Sequence, residues 1–111
     1  MRDSILIENF LEMMSAERGA AANTIEAYRR DLEETSDFLS SAKQSLIEAD
    51  SNTIRMVIED LSKRGFAASS QARHLSSLRQ FYQFLYAEGY RTDDPTAIVD
   101  GPKRLRTLPK T

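Results

Sequence analysis

Small hydroxyl groups and one arginine share a face of a predicted helix in the second half of the chain. Ser70, Arg73 and Ser77 follow one another at intervals of three and four residues. Gln80 continues the series, and at about 100° per residue all four positions fall on one side of an α-helix. Small hydroxyls let a helix approach DNA closely, while a guanidinium reaches a guanine edge or a phosphate. The pattern is typical of a major-groove face and also of an ordinary solvated helix face, and both interpretations stay open.

No set of catalytic or metal-binding residues can be assembled from the sequence. The chain has no cysteine and a single histidine, His74, which excludes disulfides and thiolate metal sites. His74 lies at the edge between the polar and apolar faces, where it can donate to a phosphate or a carbonyl, but no partner for nucleophilic catalysis can be placed beside it. Adjacent carboxyl groups such as Glu33 and Glu34 face different directions on a helix. The sequence therefore predicts no catalytic residue, no metal and no cofactor.

Charge is distributed unevenly along the chain. The net charge is −2, but residues 1–61 hold six Lys/Arg against thirteen Asp/Glu, whereas residues 62–111 hold nine against four. The basic surface therefore belongs to the second half, as a nucleic-acid partner would require. An ordinary solvated charge pattern is the alternative.

The N-terminal segment is predicted to be neither a signal peptide nor a membrane span. Its apolar residues are interrupted by Glu8, Asn9 and Glu12, and no apolar run approaches the length of about 18 residues that crosses a bilayer. We therefore expect a soluble, cytoplasmic protein without contact with a membrane.

The periodicity of the apolar residues predicts an all-α fold, a compact bundle of four main helices plus a short fifth helix. The expected helices cover residues 4–18, 24–41, 51–64, 69–88 and 95–99. Gly19 is predicted to end the first helix in a left-handed conformation, and Asn23 with Glu26 to form a capping box for the second. Asp50 or Ser51 precedes the third helix.

The fourth predicted helix has more apolar residues than one stripe needs. Its core stripe comprises Leu75, Leu78, Tyr82 and Leu85. Phe81 and Phe84 fall instead on the side of the polar face, which requires a second packing partner. The short fifth helix is favoured for this role, and a following domain is the alternative.

The C-terminal segment GPKRLRTLPKT is rich in proline and basic residues and cannot bury enough apolar surface to fold alone. The chain is therefore divided into a helical domain at residues 1–100 and a flexible basic linker at residues 101–111, which leads to a C-terminal domain absent from the sequence. A frayed terminus of a complete small protein is the alternative.

Four stretches in this order resemble the core-binding, or SAM-like, N-terminal domain of the tyrosine recombinases, and within that family the Xer branch. They are NTIEAYRRDL at 23–32, SSQARHLSSLRQFYQFLYAEG at 69–89, DDPTAIVDGPK at 93–103 and LPK at 108–110. The third stretch favours the XerD type over the XerC type. Phage and integron integrases share the domain and stay as alternatives.

The resemblance implies a domain that, together with a catalytic domain, forms a C-shaped clamp around a duplex recombination site, with its second and fourth helices against the major groove. By the family pattern, the residues nearest double-stranded DNA would be Asn23, Thr24, Ser69, Ser70, Arg73 and Ser77, followed by His74 and Arg30. Lys103 and Arg104 would contact phosphates from the linker.

The resemblance places the strand-exchange chemistry outside this sequence. The intact protein would cut and rejoin DNA through a 3′-phosphotyrosyl link without a cofactor, as a tetramer with sister recombinase subunits, in reactions such as chromosome dimer resolution. None of the family's catalytic residues can be carried onto this chain, and Tyr28 and Tyr82 lie on apolar stripes, where packing is their expected role. The isolated domain is expected to be monomeric and to bind DNA weakly.

A helical protein-interaction adaptor is the alternative function. Its docking surface would consist of the acidic first half together with Phe81 and Phe84. This hypothesis predicts tight binding of a protein partner and no DNA binding.

Overall fold

The computed structural model of the chain describes residues 2–97 and Val99. Its four helices are α1 (Asp3–Arg18), α2 (Ala22–Ser41), α3 (Ser51–Lys63) and α4 (Ala68–Ala87). No strand occurs within the described part of the chain, and none of its helices is long and apolar enough to cross a membrane. The predicted all-α class and the four main helices are confirmed.

Two of the predicted helix ends have the expected capping geometry. Gly19 has φ 62° and ψ 32°, and its N–H donates to the carbonyl of Met14, as in the left-handed ends that glycine favours. At the start of α3, the carboxylate of Asp50 accepts a hydrogen bond from the N–H of Thr53 at 2.9 Å. Local sequence therefore sets both of these ends.

The predicted capping box at Asn23 is wrong. The extended residue before α2 is Ala21, with φ −69° and ψ 156°, and it makes no side-chain cap. Asn23 already lies inside the helix, where its side chain cannot take the role of an N-cap. The same applies to α4, which begins after Ala67 without a side-chain cap. Neither helix has an acidic residue in its first turn.

Helix α4 packs against α1, α2 and α3. Its predicted core stripe is buried, but so are residues on the opposite side. Phe81 is fully buried and Phe84 is 9% exposed. Both contact Phe10 of α1, with ring centroids 5.6 and 5.7 Å apart.

Helix α1 is therefore a packing partner of Phe81 and Phe84 that the sequence reasoning did not name. The sequence pattern required a partner but could not identify it, because the phenylalanines meet a helix more than 60 residues earlier in the chain. Their burial also removes both phenylalanines from the docking surface that the adaptor hypothesis proposes.

Residues 95–97 form a turn, and the predicted fifth helix is not confirmed because Ile98 lies outside the described residues. The carboxylate of Asp94 caps the turn by accepting from the N–H of Thr96 at 2.9 Å. The predicted linker at 101–111 also lies outside the described part of the chain.

Two hydrogen bonds attach this turn and the nearby Val99 to the bundle. The hydroxyl of Ser51 donates to the carbonyl of Pro95 at 2.8 Å, and Nη2 of Arg79 donates to the carbonyl of Val99 at 2.6 Å. The path of the chain after α4 is therefore fixed by α3 and by α4 itself.

Candidate nucleic-acid interface

A buried carboxylate lies between α2 and α4, beneath the face that the sequence predicts to bind DNA. The side chain of Asp31 is 1% exposed. Its Oδ1 accepts from Nη2 of Arg73 at 2.7 Å, and its Oδ2 accepts from Nε of the same arginine at 3.2 Å. Ser77 Oγ donates to Oδ2 at 2.8 Å. The charge of Asp31 is thus compensated by one cation and one hydroxyl, as a buried carboxylate requires.

Arg73 spans the boundary between this buried cluster and the surface. Its side chain is 46% exposed although its partner Asp31 is buried. The hydrogen bonds to Asp31 raise the pKa of Arg73 above its ordinary value, so the guanidinium stays charged. Arg73 therefore presents a fixed positive group at the surface of α4.

His74 and Thr35 extend the cluster into the core. Thr35 Oγ1 donates to the carbonyl of Asp31 at 2.9 Å and lies 3.1 Å from Nε2 of His74. Nδ1 has no hydrogen-bond partner and lies 3.5 Å from Oδ1 of Asp31.

Burial decides the protonation state of His74. Desolvation lowers its pKa below 6.5, and the charge of Arg73 acts in the same direction, while the charges of Asp31 and Glu34 oppose the shift. The imidazole is therefore neutral in the folded chain at neutral pH.

The pKa shift of His74 predicts a loss of stability in weak acid. Below pH 6.5 the unfolded chain binds a proton at this residue more readily than the folded chain does. The contribution of His74 to the free energy of unfolding is therefore complete above pH 6.5 and decreases as the pH falls below that value. We expect wild type to lose stability relative to His74→Gln between about pH 7.5 and about pH 5.5, measured by urea unfolding.

An NMR titration checks the cause of this effect directly, since the chain has one histidine. The expected pKa of the imidazole lies below 6.5. A value above 6.5 would show that the negative charge of Asp31 outweighs burial, and stability would then increase on mild acidification instead.

The structure brings some of the predicted site residues to the surface and places others inside the bundle. Asn23, Arg30 and Ser69 are exposed, whereas Thr24 and Ser70 are partly buried. These residues belong to the first half of α2 and the first turn of α4. Lys103 and Arg104 lie outside the described residues.

The predicted position of Ser77 on an exposed polar face is wrong, and His74 is likewise inside. Ser77 is fully buried and His74 is 1% exposed. Both lie beneath the surface because α2 packs against the polar side of α4, and both are within 3.5 Å of Asp31.

Asp31 is the residue of this cluster that the sequence reasoning did not single out. It is three residues after Tyr28, which lies on the predicted apolar stripe of α2, and four residues before Thr35, which is buried. An acidic residue with this spacing needs a buried partner, because an isolated buried charge is costly. That rule could have identified Asp31, although it could not have named Arg73 as the partner.

No group of His, Cys, Asp or Glu in residues 2–97 and Val99 could hold a metal ion. The surface of α2 and α4 instead offers hydroxyls, one exposed arginine on α2 and the half-exposed Arg73. The starts of both helices lack side-chain caps and acidic residues, which suits an anionic ligand.

Comparison with known families identifies the bundle. The model of the phage integrase N-terminal SAM-like domain matches residues 7–89, from α1 to the end of α4. The chain belongs to this family. The resemblance to the SAM-like domain of the tyrosine recombinases is thereby confirmed.

Individual relatives of this SAM-like domain carry a more specific name. The chain is 58% identical over 110 residues to the tyrosine recombinase XerD of Brucella suis, which covers 99% of this chain and 36% of the relative. It is 62% identical over 105 residues to the XerD of Rhizobium meliloti, with 95% and 34% covered. The XerD of Caulobacter vibrioides is 50% identical over 101 residues, with 91% and 33% covered.

The chain therefore spans about a third of the length of the curated relatives it matches. These relatives agree with the XerD type that the DDPTAIVDGPK stretch favours. They are named as tyrosine recombinases, and the part shared with this chain is the SAM-like domain rather than the whole protein.

Proposed function

We propose that this SAM-like domain is the DNA-clamping domain of a tyrosine recombinase of the XerD type, and that α2 and α4 bind a duplex recombination site. The observation that carries the proposal is Arg73, whose charged group is fixed at the surface by a buried carboxylate. A positive group held in one orientation on α4, a helix that begins without a side-chain cap, is suited to the phosphates and base edges of DNA.

The proposed contacts fall into two groups. Asn23, Thr24, Arg30, Ser69, Ser70 and Arg73 act at the surface. Ser77 and His74 are proposed to act from beneath it, through Asp31, because their side chains are buried. Lys103 and Arg104 are proposed to add phosphate contacts from residues 101–111, as a basic linker would.

The activity of the whole protein is proposed from the names of the relatives. A tyrosine recombinase cuts and rejoins DNA through a phosphotyrosyl link, and the whole protein would do so in the cytoplasm as a tetramer with sister subunits. The SAM-like domain would position the enzyme on its site, and no residue of this chain is assigned a catalytic role.

DNA binding is tested by titrating the 111-residue chain with a short mixed-sequence duplex. We expect weak binding that decreases steeply between about 50 mM and about 200 mM salt, because phosphate contacts release counterions. In NMR spectra the largest shifts should fall on amides of Thr24, Ser70 and Arg73. No binding at the lower salt concentration, or shifts confined to α1, would contradict the proposal and favour protein docking.

A matched pair of arginines tests which face binds. Arg30 on α2 and Arg55 on α3 are both exposed, so that neither removes buried packing when it is replaced. Arg30→Gln is expected to weaken binding and to reduce the slope of log K against log salt by about 1, as the loss of one phosphate contact does. Arg55→Gln should leave the affinity for DNA and the salt dependence unchanged. Equal effects of the two variants would show that binding is not confined to α2 and α4.

A further inference from the structure

Asp31 is buried among polar groups whose arrangement goes beyond what stability requires. Its carboxylate accepts two hydrogen bonds from Arg73 and one from Ser77. A buried ion pair seldom stabilises a protein more than apolar residues of similar size. The contribution of Asp31 is therefore sought in the geometry of Arg73, the cation to which it is bound.

The hydrogen bonds to Asp31 occupy one edge of the Arg73 guanidinium. Nε and Nη2 are bound to the two carboxylate oxygens. A guanidinium is planar and carries five N–H donors in a rigid fork. Fixing the Nε/Nη2 edge thus fixes the other edge as well, where both hydrogens of Nη1 and the second hydrogen of Nη2 face away from the carboxylate.

We propose that Asp31 is a positioning residue, which holds Arg73 so that its Nη1/Nη2 edge is presented outward as a two-pronged donor to a pair of acceptor atoms on DNA. Ser77 supports this role by donating to Oδ2 and holding the carboxylate plane. The inference rests on the proposed DNA-binding function. Two phosphate oxygens and the O6/N7 pair of guanine are the acceptor pairs with this chemistry.

The charge of Asp31 makes the inference testable by the sign of an effect. Asp31→Asn removes a negative charge near DNA, which by electrostatics alone strengthens binding. If Asp31 positions Arg73, the same variant weakens binding, by roughly fivefold to tenfold when part of a bidentate contact is lost. Glu34→Gln is the matched control, because Glu34 is on the same helix and acts on Arg73 only through its charge. It should bind DNA equally well or better.

A double-mutant cycle separates positioning from general stability. Arg73→Lys keeps the positive charge but lacks the planar fork of donors. Asp31→Asn should therefore cause no further loss of DNA affinity in the Arg73→Lys background. Binding is measured by fluorescence anisotropy on the 111-residue chain, at a temperature where urea unfolding shows every variant to be folded. A purely structural role would give the same additional loss in both backgrounds.

Two duplexes identify the acceptor, one with A·T pairs only and one that also contains G·C pairs. Weaker binding of Asp31→Asn to both supports a phosphate pair, and weaker binding to the G·C duplex alone supports guanine. Unchanged or tighter binding, as for Glu34→Gln, or an additive loss in the Arg73→Lys background would overturn the inference. If wild type bound neither duplex at low salt, the proposed DNA-binding function itself would be contradicted.

Discussion

Phe10→Ala is expected to lower the free energy of unfolding by about 4 kcal/mol, within the range for removing a large buried aromatic side chain. Phe10 is fully buried, and its ring contacts those of Tyr28, Phe81 and Phe84 at centroid distances of 6.1, 5.6 and 5.7 Å. Its loss leaves a cavity where α1 meets α2 and α4. Urea unfolding followed by circular dichroism measures the effect.

The control for this variant is Tyr86→Ala, since Tyr86 is an aromatic residue of α4 that is 58% exposed. A surface substitution of this kind should change stability by no more than about 0.5 kcal/mol. If Phe10→Ala cost as little as Tyr86→Ala, helix α1 would not be the main cover of Phe81 and Phe84.

Arg73→Met is expected to destabilise the domain by about 3 kcal/mol or more, because it leaves the carboxylate of Asp31 buried without a cation. Ser77 would remain as a donor, but a neutral hydroxyl does not compensate a full charge. The free energy of unfolding is measured in urea at neutral pH. Arg55→Met, an exposed replacement on α3, is the control and should have little effect.

The double variant Arg73→Met with Asp31→Asn separates loss of charge compensation from loss of packing. With no buried charge left, it should recover a large part of the stability that Arg73→Met loses. A double variant as unstable as Arg73→Met would mean that the methylene groups of Arg73, and not its charge, support the α2–α4 contact.

Sequence periodicity predicted the helices because each apolar stripe is a local property of its own segment. The left-handed Gly19 and the cap at Asp50 are equally local, and both are confirmed. The capping box at Asn23 failed because helix α2 begins two residues earlier, after Ala21, and sequence alone does not distinguish neighbouring starting points well.

The site was less predictable, because its key contacts join distant segments. The faces of α4 could be counted from sequence, but which neighbour covers each face depends on the packing of the whole bundle. Ser77 and His74 are inside because α2 lies over them, and the contact between Asp31 and Arg73 joins residues 42 positions apart. Asp31 could have been found from sequence as an acidic residue on an apolar stripe, but its role in binding Arg73 could not have been deduced.

The hydrogen bond between Arg79 and Val99 ties the chain after α4 back to that helix. Arg79 holds the Val99 carbonyl, and Lys103 comes four residues later. Since consecutive Cα atoms are about 3.8 Å apart, four residues of chain span at most about 15 Å. Two binding groups joined by so short a linker have an effective concentration for each other's sites of the order of millimolar. If Lys103 contacts a phosphate as proposed, that contact would be intramolecular once the bundle is on DNA, and its strength would depend on the length of the connecting chain rather than on protein concentration.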